Sequence, residues 1–146
     1  MINCASPAYL HEYGTPQTLD DLDRHRLVHY SPTLGAAPLG FEYCDGDRCL
    51  YRAMHGIITV NSSDAYQDAC LAGLGLIQAP ALGVQPLLAQ GLLVAVLPDF
   101  AGQPMPVSLL YPHRRNVSKR VQALMAWLAK VIEPHLDRAA PSSSSR

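Results

Sequence analysis

The order in which short β-favouring runs alternate with punctuated helical segments constrains this chain more than any other feature. Ile57 to Val60 is a β-branched run that leads into Asn61-Ser62-Ser63-Asp64, four residues of the kind that cap helices. A helix through Ala72 follows, stopped at Gly73, and then a strand from Leu76 to Ala79. A second cycle comes directly after: a helix from Leu82 to Ala89 stopped by Gly91, then a strand from Leu92 to Leu97. Strands separated by helices bury both faces of a sheet, so the spacing predicts an α/β fold with a mixed sheet flanked by helices.

The rest of the chain fits that frame. Asn3 to Ala5 reads as the end of a strand, followed by a short helix from Pro7 to Tyr13 closed by Gly14. Thr18-Leu19-Asp20-Asp21 has the form of a capping box, with Asp as its acidic member, and opens a short helix that ends near Arg24. Leu27 to Tyr30 is a strand, and Ser31 to Gly40 a Pro/Gly loop. Phe41 to Cys44 and Cys49 to Ala53 form a hairpin around Asp45-Gly46-Asp47-Arg48. After a loop from Asp99 to Pro106, a strand is expected from Val107 to Tyr111. The last helix carries Val117, Val121, Leu124, Met125, Leu128 and Ile132 at spacings of three and four, the stripe of a half-buried helix. The tail from Asp137 to Arg146, with four consecutive serines, is expected to be disordered. The chain opens inside a strand with nothing before it to pair with, as if cut from a longer protein.

At 146 residues one domain with a real core is expected. A nucleic-acid binder normally shows a basic face or a clearly basic pI, whereas this chain has a net charge of −1 and a pI of about 6.6, so DNA contact by these residues is not expected. Met1-Ile2-Asn3 carries no basic leader and no apolar run reaches membrane-spanning length. A cytoplasmic location follows as the expectation, and with it four reduced cysteines.

Several runs, in order, suggest a family. Ser6-Pro7-Ala8-Tyr9-Leu10, Gly14-Thr15-Pro16, Asp21-Leu22 and His25 resemble the opening of the second lobe of LysR-type effector domains. Val60-Asn61-Ser62-Ser63-Asp64-Ala65, Ala72-Gly73-Leu74-Gly75-Leu76 and Pro80 resemble that lobe's ligand-facing helix and the strand after it. Gly91-Leu92-Leu93-Val94 with Val96-Leu97-Pro98 resembles the late strand, although Leu92 stands where a basic residue is more common. Tyr111-Pro112, Arg115, Ser118 and Val121 resemble the return into the first lobe. The resemblance implies a type II periplasmic-binding-protein-like fold, incomplete here. Residues 1–106 would be the second lobe, 107–136 the terminal strand and helix of the first, and 137–146 the disordered tail. It further implies a small-molecule effector, with DNA bound only through an N-terminal domain absent from this chain.

The candidate ligand site is Asn61, Ser62 and Ser63. The first amides of a helix lack internal partners and carry the positive end of its dipole, so with two hydroxyls beside them they would cradle a small organic acid. The same residues serve equally well as plain helix caps. Gly75, the fourth candidate ligand-binding residue, lies in Gly73-Leu74-Gly75, which reads first as a helix stop leading into a strand; glycine there would also let the backbone approach a ligand closely. Cys44 and Cys49 would face each other across the hairpin, which allows a disulfide or half a metal site; two thiols are the expectation, since no second ligand pair follows. Cys4 and Cys70 read as core residues. The six histidines are scattered and no phosphate loop or nucleophile elbow is present, so no catalytic residue, cofactor or metal is expected. His113-Arg114-Arg115 with Lys119 and Arg120 reads as a solvated surface or subunit contact. Three functions compete: an effector-binding regulatory module, a free solute-binding protein that would need export, and a thiol-dependent enzyme using Cys44 or Cys49. Self-association is expected from the apolar stripe of the last helix, and no membrane partner is expected.

Overall fold

A computed structural model describes residues 1–33, 35–46, 48–110 and 118–137, with side chains to Pro134. The chain divides into two compact units, Met1–Gln103 and Pro104–Arg146.

Local punctuation works in the first unit as the residues predict. Helix α1 spans Pro7–Tyr13; the Ser6 hydroxyl accepts from the Tyr9 N–H, Pro7 fills the first turn, and Gly14 at φ 83° donates its N–H to Leu10. Thr18 and Asp21 form a reciprocal capping box ahead of the 3-10 turn Asp20–Arg24. The Asp21 carboxylate accepts from the Thr18 N–H at 2.9 Å, and the Asp21 N–H donates to the Thr18 hydroxyl at 3.4 Å. Donation to the Asp21 carboxylate from the Gln17 N–H, the Thr18 N–H and the Thr18 hydroxyl holds that carboxyl down to about 2.

Seven short strands lie among the described residues: β1 (Ile2–Ala5), β2 (His29–Tyr30), β3 (Phe41–Asp45), β4 (Arg48–Arg52), β5 (Thr59–Val60), β6 (Ile77–Ala79) and β7 (Val94–Ala95). Strand β1 pairs antiparallel with both β6 and β7, while β2 and β5 pair in parallel. A single parallel bridge, Leu27 to Leu76, joins the two sets into one mixed sheet. Strand alternation sends neighbouring residues to opposite faces. Cys4, Val28 and Ile77 thus enter one core layer with Ala69 and Cys70 of α2 (Ser63–Leu71) and Val84 of α3 (Ala81–Ala89). Ala5, Leu27 and Leu76 enter the other with Tyr9, Leu22 and Phe41. Each fully buried large side chain contributes roughly 1.5–3 kcal/mol, so both faces must stay covered. The mixed sheet with helices and a hairpin against its faces is the expected α/β architecture.

The second unit contains α4 (Lys119–Asp137), whose Val121, Leu124, Trp127 and Val131 are exposed. The stripe residue Val117 and the basic run His113–Arg115 lie outside the described residues, as does the tail after Asp137; Asp137 itself closes α4.

Three expectations need correction. Val107–Leu110 form no strand, because no strand of the second unit lies beside them, among the described residues, to take their backbone hydrogen bonds; Tyr111 lies outside those residues. The run Leu92–Leu97 pairs only at Val94–Ala95, since Leu97 turns left-handed (φ 48°, ψ 55°) into the 3-10 turn Pro98–Phe100. Cys44 and Cys49 are not thiols but a disulfide: they sit directly opposite in the β3–β4 register with Cα atoms 4.1 Å apart, within bridging reach.

Candidate functional site

Strands β2 and β5 end side by side, and the Ser31 N–H donates to the Val60 carbonyl at 2.9 Å, holding the loop after β2 against the start of α2. On the other flank, the residues just before β2 and just before β6 meet at the Leu27–Leu76 bridge, through Val28 N–H to Leu76 (3.0 Å) and Leu76 N–H to Arg26 (2.8 Å). The ladder stops there. The next inward amide, Gln78 N–H, donates to the Tyr66 hydroxyl instead of to a strand, at 3.0 Å. The opening between the two strands is a pocket of about 430 Å³. His29 and Tyr30 line it from β2, Ser31 and much of the loop after it to Gly40 from another side, Glu42 and Tyr51 from the hairpin, Tyr66 and Gln78 from α2 and β6, and Met1 from the chain start. Openings beyond the carboxyl ends of strands, where strand order changes, are where open α/β sheets take ligands.

The pocket's walls are fixed by hydrogen bonds. The Gln78 side chain accepts from the Glu42 N–H at 2.7 Å and donates to the Glu42 carbonyl at 2.7 Å and to the Asn3 side chain at 2.8 Å. Asn3 in turn donates to the carbonyls of Leu97 (3.0 Å) and Phe100 (2.9 Å). One polar chain therefore ties the hairpin, β6, β1 and the turn after β7 together. Burial pushes the Tyr66 phenol up to about 12, and burial also lowers His29, which stays neutral near pH 7. Tyr30 and Tyr66 meet edge to face with ring centres 5.5 Å apart.

Asn61, Ser62 and Ser63 are exposed and do not line this pocket. Ser62 is the N-cap in extended conformation, yet no side chain caps α2. The structure connects them to the pocket through Tyr66, one turn along, whose N–H donates to the Ser62 carbonyl at 3.0 Å. Gly75 lies elsewhere: a Cβ there would sit 2.6 Å from the Arg26 carbonyl oxygen, so the approach of two backbones accounts for the glycine without a ligand. Tyr66, Gln78, Glu42 and Tyr51 escape sequence reasoning. Only Gln78 leaves a trace, a polar residue inside the apolar run Leu76–Ala79. Cys44 and Cys49 are bonded to each other and offer no thiolate in this state, while Cys4 and Cys70 are fully buried. No group of three metal-ligating side chains exists among the described residues, and none of their helices is long and apolar enough to cross a membrane.

The sequence matches the LysR substrate binding domain over residues 1–133. The chain belongs to that family. Among relatives of this LysR substrate-binding domain is the uncharacterized HTH-type transcriptional regulator YhjC of Escherichia coli K12, 47% identical over 137 residues, 94% of this chain and 46% of the relative. The HTH-type transcriptional activator TtdR of the same strain is 32% identical over 133 residues, 86% of this chain and 41% of the relative. The chain thus spans less than half of either. The full-length structure of the Vibrio cholerae virulence activator AphB superposes with a TM-score of 0.73 at 24% identity, covering 89% of this chain and 44% of that one. The regulatory domain of CrgA from Neisseria meningitidis gives 0.67 at 21% identity, over 89% of this chain and 63% of that one. The fold is that of LysR regulatory domains, periplasmic-binding-protein-like.

Proposed function

We propose that this chain is the effector-sensing part of a LysR-type transcriptional regulator, acting without catalysis and in the cytoplasm. DNA would be bound by an N-terminal domain that is not part of this chain. The observation that carries the reading is a pocket at the sheet's strand break in a chain of this family. Residues 1–106 correspond on this reading to the second lobe and 107–136 to a segment of the first. An effector that prefers one arrangement of lobes shifts the regulator toward it by no more than its differential affinity.

The effector would be a small organic acid whose carboxylate meets the start of α2. The absence of a side-chain cap at Ser62 supports this, since the first amides and the hydroxyls of Ser62 and Ser63 stay available to an anion. Titrating short carboxylates while following backbone amide shifts tests it. Shifts should cluster at Asn61–Ser63 and weaken in Ser62→Ala/Ser63→Ala; shifts elsewhere, or an unchanged variant, would overturn the assignment. The exposed apolar residues of α4 support self-association.

A further inference from the structure

The β3–β4 hairpin carries its disulfide at a rung that the backbone leaves unjoined. In an antiparallel ladder, rungs that exchange backbone hydrogen bonds alternate with rungs whose N–H and C=O groups point outward and whose side chains come closest. The Glu42 N–H and carbonyl both turn outward, to the Gln78 side chain, and the Cys44 N–H turns outward to the Ala101 carbonyl at 3.3 Å. Glu42–Tyr51 and Cys44–Cys49 are therefore consecutive rungs of the outward kind, on one face of the hairpin. The first of them lines the pocket. At the second, the sulfur–sulfur bond crosses where no backbone hydrogen bond does. Strand β4 pairs only with β3 among the described residues, so its tip is held by that ladder and that bond.

The register holds the two sulfurs together whether or not they are bonded, so the bond can open and close without rearranging the hairpin. Both cysteines are half-buried, among exposed Asp45, Arg48 and Leu50, so a small thiol can reach them; Cys4 and Cys70 are fully buried and out of reach. Accessible disulfides that close short loops are the labile kind. In a thiol-rich cytoplasm such pairs are transient or sensing and not structural. We propose that Cys44 and Cys49 form a reversible thiol–disulfide site, exchanging with low-molecular-weight thiols and disulfides, whose state sets how firmly the Glu42–Tyr51 rung of the pocket wall is held. On oxidation, one protein thiolate attacks the small disulfide and expels a thiolate; the other then attacks the mixed disulfide and expels the second. The protein dithiol gives up two electrons and two protons, which leave as two small thiols. The inference takes the cytoplasmic setting of the proposed function and is independent of which effector binds.

The test equilibrates the 146-residue chain with mixtures of reduced and oxidised glutathione, quenches in acid, alkylates after denaturation and maps the labels by mass spectrometry. Cys44 and Cys49 should pass together from labelled to unlabelled as the oxidised share rises, while Cys4 and Cys70 stay labelled throughout. A bond that persists in reduced glutathione alone is a structural tie and would overturn the proposal. So would a pair that ends as two glutathione adducts, or a chain that unfolds on reduction by circular dichroism. Backbone amide shifts of the two end states give the second readout. They should differ at Glu42 and Tyr51 and agree at Ala69 and Val84, in the core layer of α2 and α3. Cys44→Ser/Cys49→Ser should hold Glu42 and Tyr51 near their reduced shifts and make them indifferent to glutathione. Reversible oxidation that leaves Glu42 and Tyr51 unmoved would sever the site from the pocket and sink the proposal. None of these outcomes bears on the effector reading, which the carboxylate titration tests separately.

Discussion

The side-chain amide of Gln78 grips the backbone of Glu42 at both its N–H and its carbonyl, each at 2.7 Å, and so does the work of a missing strand pairing between β6 and β3. Removing it leaves two partly buried backbone groups and the side-chain oxygen of Asn3 without their Gln78 partner. Gln78→Ala should therefore cost about 2–4 kcal/mol, read by urea unfolding. Amide exchange should quicken in β3 before it does in β1. A loss below about 0.5 kcal/mol would mean that the hairpin is held by its other contacts, the burial of Phe41 and the Arg52 ion pairs to Asp20 and Asp23 among them.

Acid should destabilise the first unit. The Tyr9 hydroxyl accepts from the Arg26 N–H at 2.7 Å and shares a second, buried hydrogen bond with Nδ1 of His25, 3.1 Å away. Burial lowers His25 first of all, against a smaller opposing pull from Asp21, and burial likewise lowers His29. Both folded values lie below the unfolded one near 6.5. The unfolded chain therefore binds more protons, and stability is fully present above about pH 6.5 and falls as pH drops through the lowered values. Thermal melts from pH 8 to pH 5 check this. A melting point that rises on acidification contradicts it.

Two glycines should answer oppositely to alanine. Gly75→Ala drives a Cβ to 2.6 Å from the Arg26 carbonyl oxygen at the one bridge that joins the two strand sets, and should cost about 2 kcal/mol or more. Gly83, inside α3, has only the Gln67 side chain at 3.5 Å from an added Cβ. Gly83→Ala should stabilise by about 0.5–1 kcal/mol. The melting points of the pair decide it, and equal shifts in one direction would show the local geometry to be misread.

The Cys44–Cys49 disulfide closes only a short loop, five residues in separation, so reducing it should cost little stability, about 2 kcal/mol at most. Denaturant curves with and without a reducing agent, with Cys44→Ser/Cys49→Ser as control, measure it. A fall of several kcal/mol would mean that the hairpin collapses on reduction and takes Phe41 out of the core.

Leu124 and Trp127 on α4 are 54% and 59% exposed. Light scattering over a dilution series should show dimers, and Leu124→Ser/Trp127→Ser should move the population toward monomer. A parent protein that stays monomeric at every concentration rules this pairing out.

Features encoded by neighbours in sequence were legible before the structure. Ser6-Pro7 and Gly14 frame α1, Thr18 and Asp21 close a capping box, and Cys44 pairs with Cys49 as the turn spacing allows. The oxidation state was not legible, since the same register serves two thiols as well as a bond. Val107–Leu110 carry strand-like residues, but a strand needs a partner, and partner choice is a long-range fact. The pocket was hidden for the same reason. Glu42, Tyr66 and Gln78 come together from a hairpin, a helix and a strand up to 36 positions apart, and no local period marks them.

The Leu27–Leu76 bridge makes the sheet mechanically uneven. On one side lies the plate of β1, β6 and β7, on the other the narrower plate of β2 and β5, and the line between them is stitched at a single point. Backbone hydrogen bonding is sparse along that line, and the pocket lies beside it. A molecule lodged there would fill a seam that the backbone leaves open and would touch both plates at once, His29 and Tyr30 on one side and Gln78 on the other.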